Sequence, residues 1–140
     1  MGQKYFVDTL VYRDYYENRS DNFRPLGEWA LEFFRKAAGE GGIILYCDMV
    51  LAELEKDYKP ENVILIFKIL NGMDVILMHV EPSNVQAREA KSVAKNKNVS
   101  FADALYAILA RDNNAIIVTR DAHFLLLTDI AESRKPEELI

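Results

Sequence analysis

Four carboxylates, Asp8, Glu53, Asp103 and Asp121, stand where an α/β chain can do chemistry. Asp8 closes the apolar run Tyr5-Phe6-Val7, and Glu53 lies on the helix that follows the run Ile43 to Cys47. Asp103 is in the first turn of a helix capped by Ser100, and Asp121 follows the β-branched run Ala115 to Val118. In an open parallel sheet ligands bind outside the carboxyl ends of the strands, and Asp8, Glu53 and Asp121 all fall near that edge. Two unit charges about 5 Å apart repel by roughly 3 kcal/mol at an effective dielectric of 20. An unneutralised cluster would therefore raise its own pKa values or loosen the fold. A hard divalent cation removes that cost, and Mg²⁺ or Mn²⁺ prefers oxygen ligands while keeping several waters. The chemistry such a site supports is metal-assisted attack of water on a phosphate ester.

The elements that position these acids can be read in order. Tyr5 to Val7 forms a short first strand, Thr9 can cap a helix from Leu10 to Asn18, and Pro25 opens a second helix reaching Ala38. Ile43 to Cys47 is a second strand, and Asp48 caps a third helix. A fourth helix runs from near Pro60 to the stop signal Asn71-Gly72. Val75 to Val80 is a third strand, and Ser83 with Gln86 forms a capping box for a fifth helix to about Lys97. Ser100 to Arg111 is the sixth helix, its Phe101, Leu105, Ile108 and Leu109 falling on one face. Past Asp121, Phe124 to Leu127 packs back on the core, and Ala131 to Lys135 forms a short polar edge strand before Pro136-Glu137-Glu138-Leu139. Alternating strands and helices predict an α/β three-layer sandwich with a mostly parallel sheet of four or five strands. A helix that feeds a parallel strand starts at the carboxyl edge only if the chain has first been carried back there. The helix between Glu81 and Ser100 permits this return for Asp103.

With 140 residues the chain fits a single domain with one sizeable core. Half of the residues are hydrophobic and 28% are charged, which excludes disorder. The most apolar run, Val63 to Leu70, is too short to span a bilayer and carries Lys68, so a cytoplasmic protein with no membrane partner is expected. Cys47 is the one cysteine and sits in an apolar run, which reads as a buried thiol without redox function. The net charge of -5 does not advertise a nucleic-acid binder, so any such function needs a local explanation.

Four segments carry a family likeness. Phe6-Val7-Asp8-Thr9, Val50-Leu51-Ala52-Glu53-Leu54, Phe101-Ala102-Asp103-Ala104-Leu105 and Val118-Thr119-Arg120-Asp121 followed by Phe124 resemble the four acidic motifs of the PIN domain. The likeness extends in order and spacing over nearly the whole chain, and is closest to the short VapC-like ribonuclease toxins. It implies Mg²⁺ or Mn²⁺ held by Asp8, Glu53, Asp103 and Asp121. It also implies cleavage of single-stranded RNA to leave a 5′-phosphate and a 3′-hydroxyl, a homodimer, and an antitoxin protein that blocks the site. One departure is Leu10, where the family often has a polar residue two positions after the first acid.

Each residue also has a plainer reading. Asp103 could complete a capping box with Ser100, Asp121 could be a turn residue, and Glu53 competes with Glu55 and Asp57, although Val50 and Leu54 favour it. Thr119 is either a strand residue or an accessory to the acids. Arg120 and Arg13 are accessory candidates for touching substrate. His79 and His123 lack the spacing of a metal pair and read as structural or solvent-facing. Arg88, Lys91 and Lys95 share one helical face, with Lys97 nearby, and form either a solvated face or an RNA contact. The fourth helix is apolar almost all round, which implies a partner surface. Two other functions are open: a non-catalytic PIN-like module that binds RNA or protein, and a phospho-acceptor receiver domain. The receiver reading requires an acceptor Asp after the third strand, where Glu81 stands instead.

Overall fold

The computed structural model describes residues 2–140. Its elements in chain order are β1 (Lys4–Val7), α1 (Thr9–Glu17), α2 (Leu26–Gly39), β2 (Ile43–Tyr46), α3 (Asp48–Glu55), α4 (Pro60–Gly72), β3 (Ile76–His79), α5 (Asn84–Lys97), α6 (Phe101–Asp112), β4 (Ala115–Val118) and β5 (Ser133–Arg134). Short 3₁₀ turns occupy Ala122–Leu127 and Pro136–Leu139. The five strands form one sheet in the order β3-β2-β1-β4-β5, and every pairing is parallel. The expected α/β sandwich is thus present, with its sheet parallel throughout.

Central β1 shows why the sheet is covered on both sides. Successive strand residues point to opposite faces. The Tyr5 ring meets Phe33 of α2 edge-on at 5.1 Å, whereas the Phe6 ring lies 4.9 Å from Tyr106 of α6. Tyr5, Phe6 and Val7 are accordingly all buried. Each large apolar side chain sealed in this way contributes about 1.5–3 kcal/mol relative to exposure. Close packing of α1 on α2 depends on Gly27, where a Cβ would come within 2.5 Å of the Asn18 Cα, a backbone clash that no side chain could relieve.

Helix ends set the aim of the acids. The first helix is capped by Asp8 rather than Thr9: Asp8 is extended, at φ -67° and ψ 150°, and its side chain accepts from the Thr9 N–H. Likewise α2 begins one residue after Pro25 and α3 begins at Asp48 with Cys47 still extended, shifts of a single position at helix starts. The Ser83–Gln86 capping box and the Ser100 cap are both formed.

The return of the chain to the carboxyl edge is made by α5. Near its start, Gln86 donates to Asp112 at 2.9 Å and Glu89 accepts two bonds from Arg111 at 2.7 and 2.8 Å, fixing it beside the end of α6. At its far end, Lys97 pairs with Asp129 at 3.0 Å. The two helices therefore run antiparallel, and α6 starts at the edge where β1 and β4 end. Its apolar residues, from Ala104 to Ala110, are buried without interruption.

The apolar circumference of α4 is divided. Val63, Ile66 and Leu70 are buried in the core, while Ile64, Leu65 and Ile69 remain exposed. Among the described residues no helix is long and apolar enough to cross a membrane.

Candidate metal centre

Parallel pairing of β1 with β4 places Val7 opposite Val118, and the Asp8 N–H donates to the Val118 carbonyl at 2.9 Å. The residues just past the two strands are thereby brought together. Asp8 Oδ1 accepts from the Thr9 N–H at 2.8 Å, and its Oδ2 accepts from Thr119 Oγ1 at 2.9 Å. Thr119 Oγ1 in turn accepts from the Asp121 N–H at 3.0 Å. A buried threonine thus ties the first acid to the backbone of the last.

Asp121 Oδ1 accepts from the His123 N–H at 2.9 Å, a turn bond that also folds the His123 ring back. His123 Nδ1 lies 3.1 Å from Asp121 Oδ1 and 3.9 Å from Asp103 Oδ2. Ligand atoms of Asp103, Asp121 and His123 all fall within 4.8 Å of one another. His123 is exposed, as its sequence reading has it, yet it also belongs to this group. The available signal was its position two residues after a turn-forming acid.

Asp103 is placed by the Ser100 cap, whose Oγ accepts from the Asp103 N–H at 3.1 Å. Capping and cluster membership therefore coexist, because the cap bond is made by the Asp103 backbone while its carboxylate reaches toward His123. Glu53 projects from α3 while Glu55 is exposed and Asp57 lies beyond the helix end. Glu53 Oε1 accepts from Thr9 Oγ1 at 2.9 Å and from the Tyr106 hydroxyl. Burial and the Glu53 charge both push the Tyr106 hydroxyl up, so it stays protonated and able to donate.

The group whose ligand atoms come within 4.8 Å of one another is Asp103, Asp121 and His123, and charge coupling extends from it to Asp8 and Glu53. Burial pushes the Asp8 carboxyl up to about 7; the Thr119 bond opposes this, and the charges of Asp103 and Glu53 add to it. Asp103 is raised by burial and then by Asp121, with Glu53 contributing further. Only 6% of Asp8 is exposed, so water cannot screen these repulsions.

The other named residues lie around this group. Arg13 donates to the Glu53 backbone carbonyl at 2.8 Å and pairs with Asp57 at 2.8 Å, clamping α1 to the end of α3. Arg120 makes a two-pronged contact with Glu137 at 2.9 and 2.6 Å, approaches Asp14 at 3.6 Å and lies 5.4 Å over the Trp29 ring. Both guanidinium groups are engaged with protein partners. A separate group, Asp48, His79 and Glu81, is wholly exposed at the β3 edge, and there His79 Nε2 already serves both carboxylates.

A buried carboxylate beside like charges, met only by one amide and one hydroxyl donor, calls for a positive charge. Carboxylates with one imidazole alongside suit a hard or borderline divalent ion. The residues fit such an ion.

The sequence matches the family model described as PIN domain over residues 5–129. No curated protein matches the chain. Among solved structures it is similar to VapBC2 from Rickettsia felis bound to a DNA fragment from their promoter, at 20% identity and a TM-score of 0.67, covering 95% of this chain and 98% of that one. It is also similar to FitAcB from Neisseria gonorrhoeae, at 19% identity and a TM-score of 0.58, covering 94% and 97%. PAE2754 from Pyrobaculum aerophilum is similar at 19% identity and a TM-score of 0.57, covering 95% and 92%. At these identities the structural likeness speaks for the fold, whereas the family match spans most of the sequence. This chain belongs to the PIN domain family.

Proposed function

We propose that the protein is a Mg²⁺- or Mn²⁺-dependent endoribonuclease that hydrolyses phosphodiester bonds of single-stranded RNA, and that it is the toxin of a toxin/antitoxin pair. One observation carries the nuclease reading. Acids just past β1 and β4 and on α3 and α6 lie toward one edge of the sheet, and the most buried of them, Asp8, has no cationic side chain bonded to it among the described residues. Asp8, Glu53, Asp103 and Asp121 would hold the ion, with His123 beside them. A bound divalent ion supplies polarisation of the phosphate and activation of water at neutral pH. Thr119 keeps Asp8 aimed, and Tyr106 with Thr9 keeps Glu53 aimed. Next to Asp121 opens a cavity of about 200 Å³ whose walls include Leu125, Arg134 and Lys135. Its walls also carry Asp121 and Glu138, and Arg134 is paired with Glu132 at 2.7 Å, so it offers an apolar surface and chiefly Lys135 to a strand continuing past the acids, a local support for a nucleic-acid substrate despite the net negative charge.

Cleavage of a labelled single-stranded RNA in Mn²⁺ and in excess chelator tests this reading. Cleavage in Mn²⁺ that chelator stops is expected. If Mn²⁺ neither binds by calorimetry nor supports cleavage, the protein is instead the non-catalytic module that Leu10 and the acidic charge suggest.

The toxin part rests on the VapC-like motifs and on the exposed side of α4, where Leu65 and Ile69 are open to solvent and Ile64 lines a groove of about 370 Å³ with Tyr46, Leu51 and Phe67. An apolar surface of this kind fits a homodimer, with the antitoxin as a further partner. Light scattering at micromolar concentration should report a dimer, and Ile64→Glu should make it a monomer. A parent protein that is already monomeric removes the dimer from the proposal.

A further inference from the structure

We infer that Tyr106 is a positioning residue for the acidic cluster, holding Glu53 so that a single oxygen is left to a divalent ion; the inference rests on the metal reading above. The hydroxyls of Tyr106 and Thr9 converge on the same atom, Glu53 Oε1. Among the described residues Oε2 has no such donor. The two donors arrive from different helices, α6 and α1, onto a carboxylate carried by α3, so the rotamer of Glu53 is fixed by three elements at once. Tyr106 itself cannot drift. Only 1% of it is exposed, its ring packs at a tilt against Phe6 of the central strand, and it lies one helical turn past Asp103. One aromatic residue thereby registers two acids against each other: Asp103 through their shared helix and Glu53 through the hydroxyl.

A second buried tyrosine provides the control that separates the hydroxyl from the ring. Tyr12 is equally buried, and its hydroxyl has no hydrogen-bond partner among the described residues. Both rings fill core space, whereas Tyr106 alone reaches an acid of the cluster.

Groups that orient a metal-binding carboxylate through a hydrogen bond change metal affinity by about 10- to 100-fold when lost. Mn²⁺ titration by calorimetry on the full chain tests the inference, with the thermal midpoint in chelator measured beside it. Tyr106→Phe should weaken Mn²⁺ binding about 10-fold or more, leave the midpoint in chelator within a few degrees, and move RNA cleavage mainly through the Mn²⁺ concentration it requires. Tyr12→Phe should leave the Mn²⁺ dissociation constant unchanged. A Tyr106→Phe protein with the parent's Mn²⁺ affinity, or an equal loss in Tyr12→Phe, overturns the inference while leaving the metal reading in place. A parent protein that binds no Mn²⁺ overturns both.

Discussion

Asp8→Asn should abolish metal-dependent RNA cleavage and, in the absence of metal above pH 7, make the protein more stable than its parent. The two halves share one cause. With its folded pKa raised from 3.8 to about 7, Asp8 retains a proton in the native state that the unfolded chain has lost between about pH 4 and 7. Stability of the metal-free protein therefore falls as pH rises through that window, and is restored in full below pH 4. A shift of this size corresponds to roughly 4 kcal/mol. Asn carries no charge to repel Asp103 and Glu53, but its amide cannot accept from both Thr9 and Thr119, a loss of about 1 kcal/mol. A net gain of about 2–3 kcal/mol at pH 8 is expected, vanishing near pH 4. Metal reverses the order. Because a divalent ion competes with the proton for Asp8, Mn²⁺ affinity of the parent should drop as pH falls below 7, and Asp8→Asn should bind it poorly at every pH. Thermal melts with and without Mn²⁺ at pH 5 and 8 read all of this. If Asp8→Asn still cleaves RNA, or is the less stable protein without metal at pH 8, then the cluster is not what its geometry suggests.

Arg120→Met should cost about 3 kcal/mol of stability while leaving Mn²⁺ affinity near that of the parent. Its guanidinium joins three elements: Asp14 on α1, Trp29 on α2, and Glu137 in the final 3₁₀ turn. Removing it leaves Asp14 buried with the more distant Arg19, 4.0 Å away, as its cation. Asp14 is already raised by burial against the pull of Arg120 and Arg19, so its penalty deepens. Burial is the largest influence on Glu137 and raises it, but the Arg120 bond, a backbone hydrogen bond and the charges of Arg120 and Lys135 together hold its carboxyl below the usual range. That contribution is present above the ordinary carboxylate range and fades as pH falls through the lowered value. The variant's deficit should accordingly be larger at pH 7 than at pH 4. Adding Asp14→Asn should recover part of the loss, since it removes the orphaned charge. Full-strength RNA binding with this stability loss assigns Arg120 to the fold; weakened RNA binding with unchanged stability would return it to the substrate.

What the sequence discloses follows the range of the interaction concerned. Ser100, Ser83 and Gln86 act on amides three residues away, so their caps are legible, as is the buried strand Ala115 to Val118 from its β-branched run. Asp8, Asp103 and Asp121 stand out as candidates because each sits at an element boundary, whereas Glu53 lies inside α3 and is singled out only by its neighbours Val50 and Leu54. Long-range partners are not legible. The Tyr106 hydroxyl meets Glu53 across 53 residues, and within an apolar helix a tyrosine reads only as core. Arg120 stands beside an acid and so reads as a substrate contact, yet its anions lie on α1 and in the last 3₁₀ turn. Asp103 was ambiguous because periodicity sets the phase of α6 but not which end of the sheet it starts from. That is decided by the Gln86–Asp112 and Arg111–Glu89 contacts, whose pairing no local pattern announces.

The position of β4 between β1 and β5 sets a time at which the site can exist. Asp8 and Thr119 are 111 residues apart in the chain, and β4 must insert against β1 before they bond. Pairings that close so long a loop form late and slowly. A chain still on the ribosome therefore carries Asp8 and Glu53 before the side chains that aim them, Thr119 and Tyr106, 111 and 53 residues further on, can bond to them. The complete acid set is assembled only once synthesis has passed β4, so the order of strands in the sheet delays the site until that strand is in place.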